Sequence, residues 1–391
     1  MSTNIQKPNL HWLELDVLRG LAAVLMIVNH AGVKTLMVAE ASQGVMNSVL
    51  FIGSFAPVLF FFVTGVGSGI QSSQKKKQGR WRPLLMKVSI LFLADLLMHW
   101  SAGRWIGLDF LGFIGLSVLV LELVRQSSAP ITICGIGIVA ISATRFLINP
   151  LLHRLIGSFP TGWWGLDWIL GTPAVPGVSY PLSPWMVYPL LGFLVGAMAM
   201  RWRDIITTRR RQVIIGLVAL GTLPLIASLI LAFRQAEFFR WGTVSLAFFI
   251  VSFVPILVGI AWALVLCTVP TLKPVQSALS LRGVASLAIV PIHYFLLDLL
   301  TSLGVKELNG LVFSLFAIGL CIATFFLART TESAGLKLQK IQSQKWLKIG
   351  LITATFLVSC VTLIYGGEGS VIAMYSRTIG QMILCLLLTF R

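Results

Sequence analysis

Long apolar runs recur along the whole sequence, and they constrain the fold more than any other feature. Of the 391 residues, 57% are hydrophobic and 11% are charged. A soluble fold cannot bury that much apolar surface, whereas runs of about 20 apolar residues are long enough to cross a bilayer as helices. We therefore predict an all-α, polytopic transmembrane bundle of about 11–12 helices, forming a single domain over residues 1–391. The predicted spans are residues 15–37, 49–71, 84–100, 108–124, 130–149, 181–200, 212–233, 243–267, 279–301, 310–329, 346–366 and 371–389.

Lysine and arginine are concentrated in alternate loops between the apolar runs. The loops after the second, sixth and tenth predicted spans are rich in these residues, and the intervening loops are poor in them. Because positively charged loops stay in the cytoplasm, this alternation predicts a cytoplasmic N-terminus and a multi-pass protein of the cell (inner or plasma) membrane. The net charge is +17, but the basic residues cluster in these loops rather than on a soluble face, so we expect no binding to nucleic acid. The basic loop residues are Lys75, Lys76, Lys77, Arg80, Arg82 and Lys87; Arg201, Arg203, Arg209, Arg210 and Arg211; and Arg329, Lys337, Lys340, Lys345 and Lys348.

The cysteines argue against two kinds of site, whereas the last span and the long outer loop each leave an interpretation open. The five cysteines lie within or beside apolar spans without a CxxC pair, so we expect neither a disulfide framework nor a metal site. Arg377 interrupts the last apolar run, and whether that run crosses the membrane stays open. The long outer loop 150–180 contains three tryptophans and Asp167. It is either a lid or acceptor platform, or an interfacial tryptophan belt.

The first span carries three ionisable residues, Asp16, Arg19 and His30. Such residues are costly in a bilayer and usually mark a functional path inside the protein. Arg19 and His30 are eleven residues apart, which places them within about 20° of one helix face and about 16 Å apart along the axis. Asp16 lies three residues before Arg19, so the two side chains are expected to pair.

Four further ionisable residues fall towards the predicted outer ends of their spans. Asp109 is either a helix cap or part of a site, and His293 either belongs to a site or fills a gap beside Pro291. His99, next to a tryptophan, is interpreted as an interfacial residue, and Asp298 as a solvated helix end. A shared depth with His30 is necessary for a shared site, but the sequence does not show contact.

Several stretches resemble the integral-membrane acyltransferases, and most of all the heparan-α-glucosaminide N-acetyltransferase catalytic domain group. They occur in the expected order over about residues 14–300, leaving 310–389 as additional spans. The stretches are DVLRGLAAVLMIVNHAG, FAPVLFFFVTGVGSGI, WRPLLMKVSILFLADLLMHW, LDFLGFIGLSVLVLEL, YPLSPWMVYPLLGFLVGAMAMRW and LSLRGVASLAIVPIHYFLL.

This resemblance implies an acyltransferase. Its donor would be cytosolic acyl-CoA, and the expected reaction is acetyl transfer from acetyl-CoA. Its acceptor would be the hydroxyl or amine of a sugar or glycan outside. It implies that His30 is the active-site histidine and that Asp16 and Arg19 belong to the same motif. We expect Asp109 and His293 to complete the catalytic group. The donor phosphates would then contact Arg19, Arg80 and Arg82. A homodimer is compatible with the resemblance.

A transporter or flippase is the rival interpretation. Intramembrane histidines and aspartates also form proton relays in proteins that move anionic or lipid-linked substrates without chemistry. The sequence shows no internal repeat and no matched pair of broken helices of the kind found in secondary transporters. Stabilisation by acetyl-CoA, but not by acetate or glycans, would favour the enzyme.

Overall fold

The computed structural model describes residues 12–389 apart from 43, 73–80, 106, 157–168, 170–178, 235–243, 341–343 and 368–369. Eleven helices in these ranges are long and apolar enough to cross a membrane, and a twelfth has 17 residues. The predicted all-α bundle of about 11–12 helices is confirmed. The helices are α1 Leu13–Thr35, α2 Gly44–Ser72, α3 Trp81–Ser101, α4 Phe110–Gln126, α5 Pro130–Leu151, α6 Leu182–Arg201, α7 Arg210–Leu231, α8 Leu246–Leu266, α9 Ala285–Ser302, α10 Gly310–Leu338, α11 Lys345–Ile364 and α12 Val371–Thr389.

Shorter elements connect or interrupt these helices. The α5 range contains a π-helical turn, Thr144–Ile148. The α-helical segment that follows this turn, Asn149–Ile156, extends beyond the end of α5 at Leu151. The remaining short helices are Val38–Ala41, Arg203–Thr208, the 3₁₀ turn Pro270–Leu272 and Lys273–Leu279. The β-type contact found among the described residues is an isolated bridge between Leu36 and Leu308.

The predicted bounds of the ninth and tenth spans differ most from those of the structure. The ninth span starts at Ala285 rather than at residue 279, because the preceding backbone turns through Gly283 at a φ of +45° and Leu281 donates to the carbonyl of Asp16. The tenth helix continues to Leu338, well past residue 329. Its extension is fastened where the Arg329 side chain donates to backbone carbonyls of residues 277, 278 and 280.

Ion pairs between helix ends agree with an alternating bundle. Glu14 and Asp16, at the start of α1, contact Arg210 at the start of α7 and Arg282 just before α9. The far end of α1 approaches the end of α9 and the beginning of α12 through other charged side chains. The helices α1, α7 and α9 therefore begin on one face, which the loop charges predict to be cytoplasmic and which we call the inner face.

The α2 and α6 helices pack backbone against backbone. A Cβ atom added at Gly192 would lie 2.0 Å from the carbonyl oxygen of Phe62, and one added at Gly65 would lie 2.0 Å from that of Pro189. Glycine is required there because any side chain would overlap a neighbouring main chain. We call this contact the glycine seam, and it consists of Gly65, Gly69, Gly192 and Gly196.

Candidate functional site

A half-buried histidine, His30, and a buried one, His293, join α1 to α9. The Nδ1 atom of His30 lies 2.8 Å from Nε2 of His293, and the ring centroids are 5.1 Å apart in a stacked arrangement. His293 is fully buried. Tyr294 stacks on His30 with a centroid distance of 5.0 Å. The two histidines, which the sequence predicted to lie at the same depth, therefore contact each other directly.

The backbone of α9 fixes which nitrogen of each neutral ring carries the proton. Nδ1 of His293 lies 2.8 Å from the carbonyl oxygen of Ile289, which can only accept a hydrogen bond. His293 therefore donates from Nδ1 and accepts at Nε2. His30 must then donate from its Nδ1, which leaves its Nε2 as the unprotonated, basic nitrogen.

His30 lines a cavity of about 370 Å³, a volume within the range of small-molecule sites. Burial raises the pKa of the Tyr180 phenol well above its ordinary value, so this cavity wall carries a protonated hydroxyl. Apolar side chains of α1, α2 and α4 make up most of the remaining wall. The polar lining consists of Asn29, His30, Ser54, Asp95, Asp109, Ser179, Tyr180 and Tyr294.

Asp109 caps α4 and also lines this cavity. Its Oδ1 accepts from the backbone N–H of Phe110 at 2.8 Å, which confirms the cap interpretation. Its own backbone N–H donates to Oδ2 of Asp95 at 2.9 Å. The side chain described as bonded to the His30 ring is His293 rather than Asp109. The two candidates share one cavity, and an orienting role of Asp109 stays a prediction.

Asp95 and His99 of α3 form a second buried polar pair. Nε2 of His99 lies 3.6 Å from Oδ2 of Asp95, and both residues are at most 5% exposed. The interfacial interpretation of His99 is wrong, because α12 packs over this part of α3. Sequence reasoning overlooked Asp95. Its signal was a carboxylate in the middle of an apolar run, four residues before a histidine and so on the same helix face.

Charged side chains close the outer end of the site. Asp298 pairs with Lys34, and its Oδ2 lies 2.9 Å from Nη2 of Arg377. The Asp298 side chain is only 12% exposed, so its interpretation as a solvated helix end is wrong. The two cations hold it inside the protein. Arg377, whose charge left the last span open in the sequence, faces Asp298 rather than lipid. A cavity of about 450 Å³ lies beside this group and shares Met98, Asp109 and Ser179 with the His30 cavity.

A second ionic group lies at the inner face. Nη1 of Arg19 donates to Oδ1 of Asp16 at 2.7 Å, as the spacing predicted. Arg282 approaches the other carboxylate oxygen at 3.1 Å, a contact that the sequence could not indicate across 266 positions. Nη2 of Arg19 lies 3.9 Å from a Cβ built on Gly67, so this guanidinium lies beside α2.

Other predicted elements lie elsewhere or outside the described residues. Arg80, Asp167 and most of the loop 150–180 belong to the undescribed part of the chain. Arg82 lines a groove at the α3–α11 surface, not the cavity that contains His30. Among the described residues, no cluster of three or more His, Cys, Asp or Glu is arranged to hold a metal ion.

The multi-span fold, with a histidine pair between α1 and α9, defines a polytopic membrane protein. Residues 12–233, which are 222 of the 391, match the family model described as Heparan-alpha-glucosaminide N-acetyltransferase, catalytic. The chain belongs to this family. The matched region contains His30 and Asp109 but ends before α9, so His293 lies outside it.

Two other comparisons gave no match. Neither the search of curated proteins nor the search of solved structures found a significantly similar chain.

Proposed function

We propose that the protein transfers an acyl group, in the first place acetyl, from cytosolic acyl-CoA to an acceptor on the outer side. The acceptor is a hydroxyl or amine of a sugar or glycan. The family description names a glucosaminide, which supports an amino sugar. We further propose that α1 to α12 act as one domain, since α12 packs against α3 and α9.

The observation that carries this proposal is the 2.8 Å separation of Nδ1 of His30 from Nε2 of His293, from which we infer the tautomer of His30. Its basic Nε2 is free to take the proton of an acceptor hydroxyl or amine in the adjoining cavity. The acceptor atom bonds to the thioester carbonyl carbon, the carbon–sulfur bond breaks, and coenzyme A leaves as a thiolate that is then protonated. His293 accepts the Nδ1 hydrogen of His30 and so positions the ring.

A covalent route uses the same nitrogen. Nε2 of His30 would attack the thioester first, release the thiolate and then pass the acyl group to the acceptor. Both routes need an unprotonated Nε2 and a donor carbonyl within the cavity. They differ in whether acyl-histidine accumulates when acyl-CoA is supplied without acceptor.

The inner ionic group supports a donor site on the cytoplasmic side. Asp16 holds Arg19 and Arg282 together, and a polyanionic coenzyme would bring phosphates to these guanidinium groups. Arg19 lies about 16 Å below His30 along α1, a separation suited to a donor with a long, thin arm. Arg80, in the adjoining basic loop, would attract the same ligand.

The acceptor would bind in the two neighbouring outer cavities, which share Met98, Asp109 and Ser179. Asp95, Asp109 and the Tyr180 hydroxyl supply hydrogen-bond acceptors and a donor to sugar hydroxyls beside His30. These residues would orient the acceptor so that one nucleophilic group faces Nε2 of His30.

The central test is the substitution His30→Ala in purified full-length protein. We expect acetyl transfer from acetyl-CoA to glucosamine or its oligomers to be lost, because Nε2 is the proposed base. Folding is checked by size-exclusion chromatography and by the melting temperature. Wild-type turnover in a folded His30→Ala protein would disprove the proposal.

Ligand-induced stabilisation separates the enzyme from a transporter. Acetyl-CoA should raise the melting temperature of both wild-type and His30→Ala protein, because the inner donor site is intact in each. Acetate should give no such shift. Stabilisation by acetate or glycans without any effect of acetyl-CoA would instead support a transporter.

A further inference from the structure

A large lateral groove lies outside the proposed active site. It has a volume of about 1020 Å³, and its walls come from α3 and α11 with a floor from α12. None of its lining residues is shared with the His30 cavity. The side chains along its length are mainly apolar, among them Met86, Ile90, Leu93, Ile352 and Phe356.

Positive charge is confined to one end of this groove. Arg82 is the second residue of α3, and Lys348 is near the start of α11. Both helices begin at the inner face, so the two cations lie at the cytoplasmic end by the predicted topology. Among the described residues that line the groove there is no aspartate or glutamate. The groove thus offers a local excess of positive charge above an apolar trough.

The groove follows nearly the whole of α3, from Arg82 to Trp100, and its inner half has the length of a lipid of one leaflet. Leu93 follows Arg82 by eleven residues, a rise of about 16 Å, which is close to half of the ~30 Å hydrocarbon core. A phosphate contacting Arg82 and Lys348 would therefore place acyl chains along the apolar wall as far as Leu93. Free phosphate fits less well, because it would leave the apolar part of the groove unfilled. A zwitterionic lipid fits less well, because its headgroup cation would lie beside Arg82 and Lys348.

We propose that this groove binds one anionic glycerophospholipid from the cytoplasmic leaflet. The phosphate is held by Arg82 and Lys348, and the chains fill the space between α3 and α11. The bound lipid packs against the membrane-facing side of α3. The opposite side of this helix carries Asp95, which lines the His30 cavity. The proposal concerns binding alone and is independent of the acyl transfer assigned above.

The test uses full-length protein in mild detergent and compares phosphatidylglycerol with phosphatidylcholine of the same oleoyl chains. Native mass spectrometry counts bound lipid, and a melting curve measures stabilisation. We expect a single preferred phosphatidylglycerol. The double variant Arg82→Gln/Lys348→Gln should lower its affinity about 10- to 30-fold, the loss expected from two cations near an anionic headgroup. Lys345→Gln is the matched control, since Lys345 lies at the same helix end but does not line the groove.

A second variant tests the apolar part. Ile352→Trp places a bulky ring in the trough and should weaken both lipids, whereas the charge variants should weaken only phosphatidylglycerol. Equal binding of both lipids, unchanged affinity in the double variant, or equal stabilisation by glycerol phosphate would overturn the proposal. So would displacement of phosphatidylglycerol by oleoyl-CoA, which would assign the groove to the donor. Lipid binding should persist in His30→Ala protein, so it can fail or succeed separately from the proposed function.

Discussion

At the scale of single residues, the arrangement of His30 depends on a main-chain oxygen. The carbonyl of Ile289 selects the tautomer of His293, and His293 in turn selects that of His30. The basic nitrogen is thus determined two hydrogen bonds away from the cavity. Substituting the middle member should change catalysis without removing any group that contacts the substrate.

Variants of His293 separate positioning from simple packing. In His293→Gln, the amide oxygen can accept from Nδ1 of His30, so we expect most of kcat to remain. In His293→Leu no acceptor is left, and kcat should fall by about 100-fold or more because the His30 tautomer is no longer fixed. KM for acetyl-CoA should change little, since the donor groups are on the inner face. Equal losses in the two variants would contradict this role.

Local spacing made some residues predictable and others not. Asp16 and Arg19 are one helical turn apart, so their ion pair follows from the sequence alone. The topology also brought His30 and His293 to one depth. Their contact joins positions 263 residues apart, and no periodicity in either helix specifies which neighbour it faces. The same holds for Asp298 and Arg377, which were interpreted singly and lie together.

At the scale of helices, the glycine seam fixes α2 against α6. The added Cβ positions would overlap main-chain oxygen atoms, which cannot move aside as a flexible side chain can. Glycines within apolar spans allow close packing, but they do not show which two helices meet. Only the structure shows that the Phe62 carbonyl lies beside Gly192 and the Pro189 carbonyl beside Gly65.

The substitution Gly192→Ala tests this seam. Its methyl group would lie 2.0 Å from the Phe62 carbonyl oxygen, so we expect a destabilisation of about 1–3 kcal/mol or more, as in overpacked cores. The measurement is the melting temperature in detergent. Gly216→Ala is the control, because a Cβ there meets no heavy atom of the described residues within 4 Å outside its own helix backbone and alanine favours the helix. A Gly192→Ala protein as stable as the control would refute the packing argument.

At the scale of the whole molecule, the charged loops and the helix-end ion pairs describe the same alternation. The starts of α1, α7 and α9 meet through Glu14, Asp16 and their arginine partners. The number of helices and their alternation could be predicted because lipid demands long apolar helices and basic loops stay inside. The order in which the helices pack around His30 could not, because each apolar face is compatible with several neighbours.

Cysteine labelling tests the orientation. In a cysteine-free background, Leu303→Cys, after α9, should react with a membrane-impermeant maleimide in intact cells. Lys345→Cys, at the start of α11, should react only after permeabilisation. Both native side chains are exposed, so accessibility differs only by side of the membrane. The reverse pattern would place the N-terminus outside and exchange the donor and acceptor sides.

The glycine seam has a consequence for motion during turnover. Two helices in direct main-chain contact cannot slide or tilt against each other without steric overlap, so α2 and α6 must travel as a single rigid body. Opening of the His30 cavity to a bulky acceptor then has to come from elements that pack less closely around this body. The glycine seam therefore keeps α2 and α6 together, and the other helices move relative to this pair.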